Sequence, residues 1–257
     1  MTNKTQRNVV VLGGNGSLGR AIVNRLLEQQ KATRIWSVDR EHSLIPQDPS
    51  VTFITADLRV PGELALLRNQ LPPTLSGLVN TIGGESNPSV EAIKDTGWPP
   101  EAVWADIFDL NVGLPYRLVR ELETCLEDGA SICHVSSIAA TMPWVISPAY
   151  GAAKAALEHW SRSLAVQLAP RGIRVNMVRP GFVWSRQWAA VDRAEFDNVV
   201  ADRVLLSQFD GGTATTKEQL PADVAQTIAY LMSSDARHVT GQALDIDGGA
   251  SLVRAAR

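Results

Sequence analysis

Residues 8–24 read NVVVLGGNGSLGRAIVN, and this stretch decides the fold class. Residues 9–12 are apolar and predict a short strand, a glycine-rich turn follows, and an amphipathic run typical of a helix comes after it. Gly14, Gly16 and Gly19 fit the G-x-G-x-x-G pattern of dinucleotide-binding turns. In that pattern glycine allows a tight turn, lets backbone N–H groups approach pyrophosphate and lets helix and strand pack closely, while the helix N-terminus faces the anion. The stretch therefore predicts a dinucleotide site, with a plain glycine-rich turn as the alternative that this motif leaves open by itself.

The rest of the chain alternates short apolar runs with longer amphipathic ones. Strands are predicted at Asn8–Leu12, Arg34–Val38, Val51–Thr55, Gly77–Asn80, Ser131–Val135, Ile173–Val178 and Ala243–Ile246. Helices are predicted at Ser17–Gln30, Gly62–Gln70, Pro100–Glu127, Ala149–Leu168 and Ala222–Met232. This alternation predicts an α/β fold, a doubly wound, Rossmann-type parallel sheet of about seven strands with helices on both faces, in one domain over residues 1–257. Residues 184–220 show no clear strand, which indicates either a lid that covers the substrate or a partly disordered segment.

The composition narrows the function classes. The 24 Lys and Arg residues are balanced by 27 Asp and Glu residues without a basic run, so we expect no nucleic-acid partner. No apolar stretch approaches the roughly 20 residues that span a bilayer, and the polar N-terminus lacks a signal-peptide core, so we expect no membrane association and a cytoplasmic location. Cys125 and Cys133 are expected to be free and buried. The four histidines lack the spacing of metal ligands, so no metal site is predicted.

The acidic residue after the second predicted strand bears on the choice of dinucleotide. Asp39 lies 20 residues after Gly19 and ends that strand. A carboxylate in this position accepts hydrogen bonds from the adenosine ribose hydroxyls and repels a 2′-phosphate, which favours NAD over NADP. Arg40, the next residue, is able to bind that phosphate, so NADP stays open as the alternative.

Tyr150 and Lys154 form a second pattern, four residues apart at the start of a predicted helix. Residues at this spacing share one helix face. A free tyrosine titrates near pH ~10 and is a poor base at neutral pH. A neighbouring ammonium group favours the phenolate and lowers the pKa of the tyrosine, which makes it usable as a general acid and base. By itself the pair is also compatible with two surface neighbours on a helix.

These motifs belong to an ordered series that resembles the short-chain dehydrogenase/reductase family from Val9 to Ser251. After the glycine turn, the matching positions are Asp57, Asn80 in Asn80-Thr-Ile-Gly83, Asn111 in Leu110-Asn-Val-Gly113, Ser137 in His134-Val-Ser-Ser-Ile138, Tyr150 and Lys154, Val175-Asn-Met-Val-Arg-Pro-Gly181, and Thr240-Gly-Gln-Ala-Leu-Asp-Ile-Asp-Gly-Gly249. Ser137 stands 13 residues before Tyr150. So many matches in order are far more specific than any one of them.

The resemblance implies a function and a catalytic set. It implies an NAD-dependent oxidoreductase that interconverts a secondary alcohol and a ketone. Tyr150 would exchange the proton with the substrate hydroxyl, and Ser137 would hydrogen-bond the carbonyl oxygen. Lys154 would bind the nicotinamide ribose and lower the pKa of Tyr150. Asn111 would hold a water that links Lys154 to solvent, and Ser185 would hold the carboxamide.

The resemblance also implies a set of cofactor-binding residues, with departures in the glycine turn. The set is Gly13, Asn15, Gly16, Ser17, Leu18, Gly19, Asp39, Arg40, Asp57, Leu58, Asn80, Gly83, Tyr150, Lys154, Pro180, Gly181, Val183 and Ser185. The family pattern would place glycines at positions 13, 17 and 19 after a threonine, whereas this chain has Leu12, Ser17 and an early Gly16. Which N–H groups meet the pyrophosphate is therefore left open. Thr81 and Ile82 also replace the usual Asn and Ala.

Three tryptophans are predicted to shape the substrate site. Trp144 lies between Ser137 and Tyr150, and Trp184 and Trp188 follow the Pro-Gly turn. These rings predict a pocket for a cyclic or aromatic small-molecule substrate. The alternative is that they pack under the lid or at a subunit contact.

Assembly and alternative functions complete the expectations. The helices near 100–127 and 149–168 present Ala-, Leu- and Trp-rich faces, and family members pair these helices across two-fold axes, which predicts a homotetramer with a dimer as second choice. The alternatives to an NAD-dependent dehydrogenase are an NADP-linked ketoreductase and, from another class, a non-catalytic NAD-binding redox sensor. A sensor needs the fold but not the Ser, Tyr, Lys and Asn set.

Overall fold

A seven-stranded parallel sheet forms the centre of the computed structural model, which describes residues 7–29, 33–42, 48–85, 98–143, 147–185, 188, 191–208 and 219–253. The strands are β1 (Arg7–Leu12), β2 (Thr33–Asp39), β3 (Val51–Thr55), β4 (Leu75–Asn80), β5 (Leu126–Val135), β6 (Arg174–Pro180) and β7 (Ala243–Ile246). Their order in the sheet is β3-β2-β1-β4-β5-β6-β7, and every neighbouring pair is parallel. All seven strand predictions and the doubly wound topology are confirmed, with ends shifted by a few residues.

Helices cover both faces of this sheet. They are α1 (Ser17–Gln29), α2 (Glu63–Gln70), α3 (Glu101–Phe108), α4 (Leu114–Leu122), α5 (Pro148–Leu168), α6 (Arg193–Arg203), α7 (Leu205–Gln208) and α8 (Pro221–Leu231). The side chains of β1 alternate between the two layers. Val9 and Val11 join the core under α1 and α8, whereas Val10 and Leu12 join the core under α2, α4 and α5. Because both faces are buried, the strand reads as a continuous apolar run.

The predicted helix Pro100–Glu127 is wrong in two respects. It is interrupted by a π-helical turn over Asp109–Gly113, and it ends at Leu122, after which a 3-10 turn leads into β5 at Leu126. The helical pattern misled because the first residue of β5 falls four residues after the buried Leu122 and so continues the same apolar stripe. At this interruption the side-chain amide of Asn111 donates to the carbonyl of Ile107 at 2.9 Å, alongside the backbone hydrogen bonds of the helix.

The segment that follows the Pro-Gly turn is helical in part. α6 buries Phe196 and Val200 against Phe182, Ile138 and Met142, beside the sheet's carboxyl edge. Residues 186–187, 189–190 and 209–218, which belong to the predicted lid over 184–220, lie outside the described residues. The described part of the lid therefore has its own small apolar core.

Two polar side chains are buried at neighbouring positions of the central strands. His134 on β5 and Asn80 on β4 are register partners and are both essentially inaccessible. Neither ring nitrogen of His134 has a hydrogen-bond partner, and the ring packs at 5.6 Å against Trp160 of α5. Burial, reinforced by the nearby Lys154, lowers the pKa of His134 from 6.5 to about 3. The imidazole is therefore neutral in the folded chain.

This buried imidazole predicts sensitivity to acid. Below about pH 6.5 the imidazole of His134 binds a proton in the unfolded chain but not in the folded chain. The free energy of unfolding therefore decreases as the pH is lowered from about 6.5 to about 3. At pH 5 the loss attributable to His134 is about 2 kcal/mol. We expect His134→Leu to flatten this dependence, measured by urea unfolding between pH 5 and 8. The matched control is His159→Leu, which changes an exposed histidine on α5. Equal slopes in both variants and the unmodified chain would contradict the assignment.

Candidate active site

A cleft of about 380 Å³ lies at the carboxyl edge of the sheet, where the strand order reverses between β1 and β4. Ligands of open α/β sheets bind at such switch points. The predicted cofactor and catalytic residues that line the cleft are Gly13, Gly16, Ser17, Leu18, Gly19, Asp39, Arg40, Asp57, Leu58, Gly83, Ser137, Tyr150, Lys154, Pro180, Gly181, Val183 and Ser185. The fold thus brings together residues that are spread over more than 170 positions of the sequence.

The glycine turn is fixed by close backbone approaches. The N–H groups of Gly13 and Gly14 both donate to the carbonyl of Val38, at 2.8 and 3.1 Å, and Gly13 has a positive φ of 79°. A Cβ on Gly19 would lie 2.1 Å from the Gly13 carbonyl oxygen, so α1 can pack here only without a side chain. A Cβ on Gly16 would meet nothing closer than 3.5 Å. Packing therefore requires glycine at position 19. At position 16 the lack of a side chain leaves open space on the cleft side.

Asp39 has a structural role that the sequence did not predict. Its Oδ2 accepts from the backbone N–H of Asn15 at 2.9 Å, which ties the end of β2 to the glycine turn. The Asn15 side chain is buried and donates to the carbonyl of His42 at 2.6 Å, so it faces the loop after β2 rather than the cleft. Arg40 is exposed, and its Nε lies 4.0 Å from Glu41. An acid and a base thus stand side by side at the predicted ribose position.

The loop after β3 forms the next wall of the cleft. The Asp57 carboxylate accepts from the backbone N–H of Arg59 at 3.1 Å, and Leu58 is buried. Arg59, which sequence reasoning missed, also lines the cleft and forms an ion pair with Asp106 of α3. This contact links the loop after β3 to α3.

Tyr150 and Lys154 lie on the buried face of α5. Ser147 caps the helix by accepting from the backbone N–H of Tyr150 at 3.4 Å, and Pro148 occupies its first turn. The Lys154 ammonium lies 5.6 Å from the centre of the Tyr150 ring and donates to the carbonyl of Val135 at 2.9 Å. Lys154 is almost completely buried, and this desolvation lowers its pKa to about 8, with Glu158 acting in the opposite direction. A cation is therefore held next to the phenol.

Asn111 lies beside Lys154 but is fully buried and does not line the cleft. Its amide nitrogen donates to the carbonyls of Gly84 and Ile107, and its oxygen accepts from the Gly84 N–H at 3.0 Å. A Cβ on Gly83 would lie 2.7 Å from both the Asn111 oxygen and the Lys154 nitrogen. The small residue at 83 is therefore what lets the strand end approach this pair.

Ser137 follows β5 and caps the short turn that begins at Ile138. Its hydroxyl accepts from the backbone N–H of Ala139 at 3.2 Å, and the residue is half-buried at the cleft wall. Ser136, the residue before it, is buried and donates from its hydroxyl to Glu158 at 2.7 Å. The strand end is thus tied to α5.

Asn80 ends β4 behind the cleft wall. It is buried outside the cleft lining, and its Oδ1 accepts from the Ile82 N–H at 3.1 Å. Thr81, at the place of the family's asparagine, donates from its hydroxyl to the carbonyls of Leu12 and Gly13. Asn80 therefore shapes the turn, and Thr81 joins that turn to the glycine turn.

The Pro-Gly turn after β6 closes the opposite side of the cleft. The Gly181 N–H donates to the side-chain oxygen of Gln219 at 2.9 Å, and the Gln219 amide also contacts the Ile246 carbonyl. Gln219 also forms an isolated parallel bridge with Val183. The far end of the predicted lid is therefore anchored to the ends of β6 and β7.

The three predicted substrate tryptophans have different positions. Trp188 lines the cleft. Trp184 is outside the cleft lining and packs edge-on against Phe196 at 4.9 Å, with the Arg193 guanidinium 5.0 Å above its ring. Trp144 lies outside the described residues. Cleft-lining residues that the sequence reasoning missed are Ala56, Arg59, Thr81, Ile82, Leu110, Leu114, Val135, Ser136, Ile138, Ala139 and Phe182. Most are apolar residues next to a predicted one, so proximity to a motif was the only available signal.

Two further observations concern the expected absences. Among the residues that the structure describes, no three or more His, Cys, Asp or Glu side chains are grouped as metal ligands are, and no helix is long and apolar enough to cross a membrane. Cys125 and Cys133 are free and buried, as predicted, and burial raises the pKa of the Cys133 thiol to about 12.

The residues of the cleft fit a dinucleotide. The turn at 13–19 offers backbone without side chains where the first helix begins, and a carboxylate stands at the end of β2. A buried cation and a half-buried serine lie at the other end of the cleft, beside Tyr150. Backbone N–H groups at a glycine turn before a helix are chemically suited to pyrophosphate, and the groups around Tyr150 are suited to a reacting hydroxyl or carbonyl group.

Comparison with known proteins identifies relatives of this arrangement. Residues 13–251 match the model of a family described as enoyl-(acyl carrier protein) reductase. The vibriobactin-specific 2,3-dihydro-2,3-dihydroxybenzoate dehydrogenase of Vibrio cholerae is 27% identical over 263 residues, covering 95% of this chain and 95% of that protein.

Solved structures share the fold at lower identity. An oxidoreductase of the short-chain dehydrogenase/reductase family from Burkholderia thailandensis has a TM-score of 0.79 at 24% identity, covering 98% of this chain and 95% of that one. A variant of an actinorhodin polyketide ketoreductase, crystallised with NADPH, has a TM-score of 0.78 at 23% identity and covers 98% and 99% of the two chains. At these identities the likeness concerns the fold.

Proposed function

Because the chain belongs to the short-chain dehydrogenase/reductase family, we propose that it uses NAD(H) to interconvert a cyclic or aromatic secondary alcohol and the corresponding ketone. The general activity of its family is the NAD(P)-dependent oxidation of alcohols or reduction of ketones. The observation that carries the proposal is the pairing of a buried Lys154 ammonium with Tyr150 in the cleft that also contains the glycine turn. A non-catalytic redox sensor has no need of that pair.

The chain's own residues account for proton transfer. Tyr150 takes the hydroxyl proton of the alcohol in one direction and returns it to the ketone oxygen in the other. Lys154 supplies the positive charge that favours the tyrosinate, and Ser137 donates a hydrogen bond to the reacting oxygen. When bound, the nicotinamide accepts or supplies the hydride. Gly181 and Ser185, beyond β6, are the candidate residues for holding its carboxamide end.

The lining of the reactive end supports a ring-shaped, largely apolar substrate. Phe182, Trp188, Ile138 and Leu110 present apolar surface to the cleft, beside the polar side chains of the catalytic set. The dehydrogenase of Vibrio cholerae, by its name, acts on a dihydrodihydroxybenzoate, which is a cyclic substrate. We assign the segment 184–220, with α6 packed against Phe182, the role of a cover over this end of the cleft.

Substitution of Tyr150 tests the chemistry. Tyr150→Phe keeps the ring and removes the proton carrier, so turnover should fall by at least the ~10²–10⁴-fold typical of lost acid–base catalysis, while NADH affinity barely changes. Lys154→Ala should weaken NADH binding as well as turnover, and residual alcohol oxidation should shift to higher pH. The measurements are pH–rate profiles and NADH titrations of each variant with a panel of cyclic and aromatic alcohols.

Two results would count against this assignment. If Tyr150→Phe retained most of its turnover, the proton would travel by another route. If the unmodified chain bound NADH tightly but turned over no alcohol or ketone, the redox-sensor alternative would replace the dehydrogenase.

The choice of NAD over NADP is proposed on the position of Asp39. Its carboxylate lines the cleft and accepts from the Asn15 N–H, which supports a role in accepting from ribose hydroxyls and repelling a 2′-phosphate. We expect NADH to bind more tightly than NADPH and Asp39→Ala to narrow the difference, measured by fluorescence titration. Arg40→Ala is the control and should not raise NADPH affinity. Equal affinities in the unmodified chain would indicate that Arg40 binds the phosphate instead.

Assembly as a homotetramer is proposed on the helices after β4. Trp104 on α3, Tyr116 on α4 and Val166 on α5 leave large apolar side chains exposed, the last to 77%. Closed two-fold symmetry is the usual way to cover such faces. Light scattering at micromolar concentration should give the mass of four 27.8 kDa chains, or of two if only one face pairs. A monomer would refute this assembly.

A cytoplasmic location is also proposed, because Cys125 and Cys133 are free thiols.

A further inference from the structure

Glu158 is a buried carboxylate behind the active site. It lies one helical turn after Lys154 on α5, is only 3% exposed, and is outside the cleft lining. Acidic side chains are almost never this deeply buried unless they are paired. Its contacts therefore identify what the position is for.

Both carboxylate oxygens of Glu158 are occupied. Oε1 accepts from the Ser136 hydroxyl at 2.7 Å and from the Arg179 Nε at 2.7 Å, while Oε2 accepts from the Arg179 Nη2 at 2.6 Å and from Arg162 at 3.3 Å. The third nitrogen of Arg179 donates to Asp245 of β7 at 3.0 Å. The bidentate Glu158–Arg179 pair thus joins α5 to β6, and the pKa of the Arg179 guanidinium is raised by it.

Two links connect this pair to the reacting groups. Ser136 is adjacent to Ser137 and itself reaches the cleft wall, so its bond to Glu158 fixes the strand end that presents Ser137. Glu158 also lies one turn from Lys154 on the same buried face, where little water screens its charge. The Glu158 carboxylate is therefore connected to Ser137, through Ser136, and to Lys154, through its charge.

The other charged and titratable groups around Lys154 do not supply this effect. On its own helix Tyr150 is neutral unless deprotonated, and His134 of β5 is neutral because burial lowers its pKa to about 3. Arg179 of β6 and Arg162 of α5 are both positive, so neither favours the Lys154 ammonium. Burial lowers the pKa of Lys154 to about 8, and Glu158 is the group that opposes this.

We infer that Glu158, clamped by Arg179, is a positioning residue for the proposed dehydrogenase: its charge steadies the Lys154 ammonium, and its bond from Ser136 holds the strand end that carries Ser137. The catalytic role of Glu158 rests on the proposed function. The effect of its charge on the titration of Lys154 is measurable without turnover.

The titration of Lys154 is directly observable. The chain has five lysines, so the Cε signals of ¹³C-lysine-labelled protein are few, and Lys154→Arg assigns the relevant one; the lysines are Lys4, Lys31, Lys94, Lys154 and Lys217. Glu158→Gln keeps the shape and removes the charge. We expect the midpoint of the Lys154 titration to fall by about one unit relative to the unmodified chain. The alkaline limb of the pH–rate profile for alcohol oxidation should move to lower pH by the same amount.

Two controls separate charge from structure. Asp245→Asn removes the outer partner of Arg179 and should lower the melting temperature without moving the Lys154 titration. Ser136→Ala keeps the Glu158 charge, so it should lower kcat about tenfold through misplacement of Ser137 with an unchanged pH profile. Glu158→Gln leaves the Arg179 guanidinium without its buried partner, and the variant chain then risks not folding. In that case Glu158→Gln combined with Arg179→Gln removes both charges. The midpoint of the Lys154 titration should still fall.

The outcomes distinguish the two proposals. A Lys154 titration that is identical in the unmodified chain and in the folded Glu158 variant would overturn the inference and leave Glu158 a structural residue. A shifted titration in a chain without any dehydrogenase activity would support the electrostatic role of Glu158 and reject the proposed function.

Discussion

The side chain of Lys154 is almost completely buried at the wall of the cleft, and the neighbouring part of the structure is arranged around this constraint. The Val135 carbonyl accepts from the ammonium group, Gly83 lacks the side chain that would collide with it, and Asn111 lies beside it in a π-helical turn. A buried cation requires compensation from several elements at once, which ties β4, β5 and α5 into one unit.

The parallel sheet makes this arrangement possible. Because all strands run in one direction, their carboxyl ends meet at one edge, and the reversal between β1 and β4 separates the helices there. The glycine turn after β1 and the strand end after β5 then face each other across the cleft, although they are more than 100 residues apart in sequence. The Asn15 N–H also donates to the Asp39 carboxylate, and this bond ties the end of β2 to the glycine turn.

The sequence predicted β1 well because this strand is buried on both faces and reads as a continuous apolar run, whereas the outer strands β3 and β7 are only partly buried. It failed at Pro100–Glu127, where a π-helical turn at Asn111 and the start of β5 both fall on one helical stripe. Most of the motif residues line the cleft, whereas Asn15, Asn80 and Asn111 do not, and the tertiary partners of the motif residues were not predicted. The bond between Asp39 and Asn15 and the pair between Glu158 and Arg179 depend on which strands become neighbours, and local patterns carry no such information.

A signal for Glu158 was nevertheless present in the helix pattern. The buried stripe of α5 includes Tyr150, Lys154, Leu157 and Ser161, and Glu158 occupies a position on it. A buried acid on an apolar stripe, one turn after a lysine on the same stripe, requires cationic partners, and Arg162 on the same helix is half-exposed. Arg179, two residues before Gly181 in β6, meets that requirement. The burial that lowers the pKa of Lys154 and the acid that opposes it therefore come from the same helix face, so the packing of α5 and the charge of its lysine are set together.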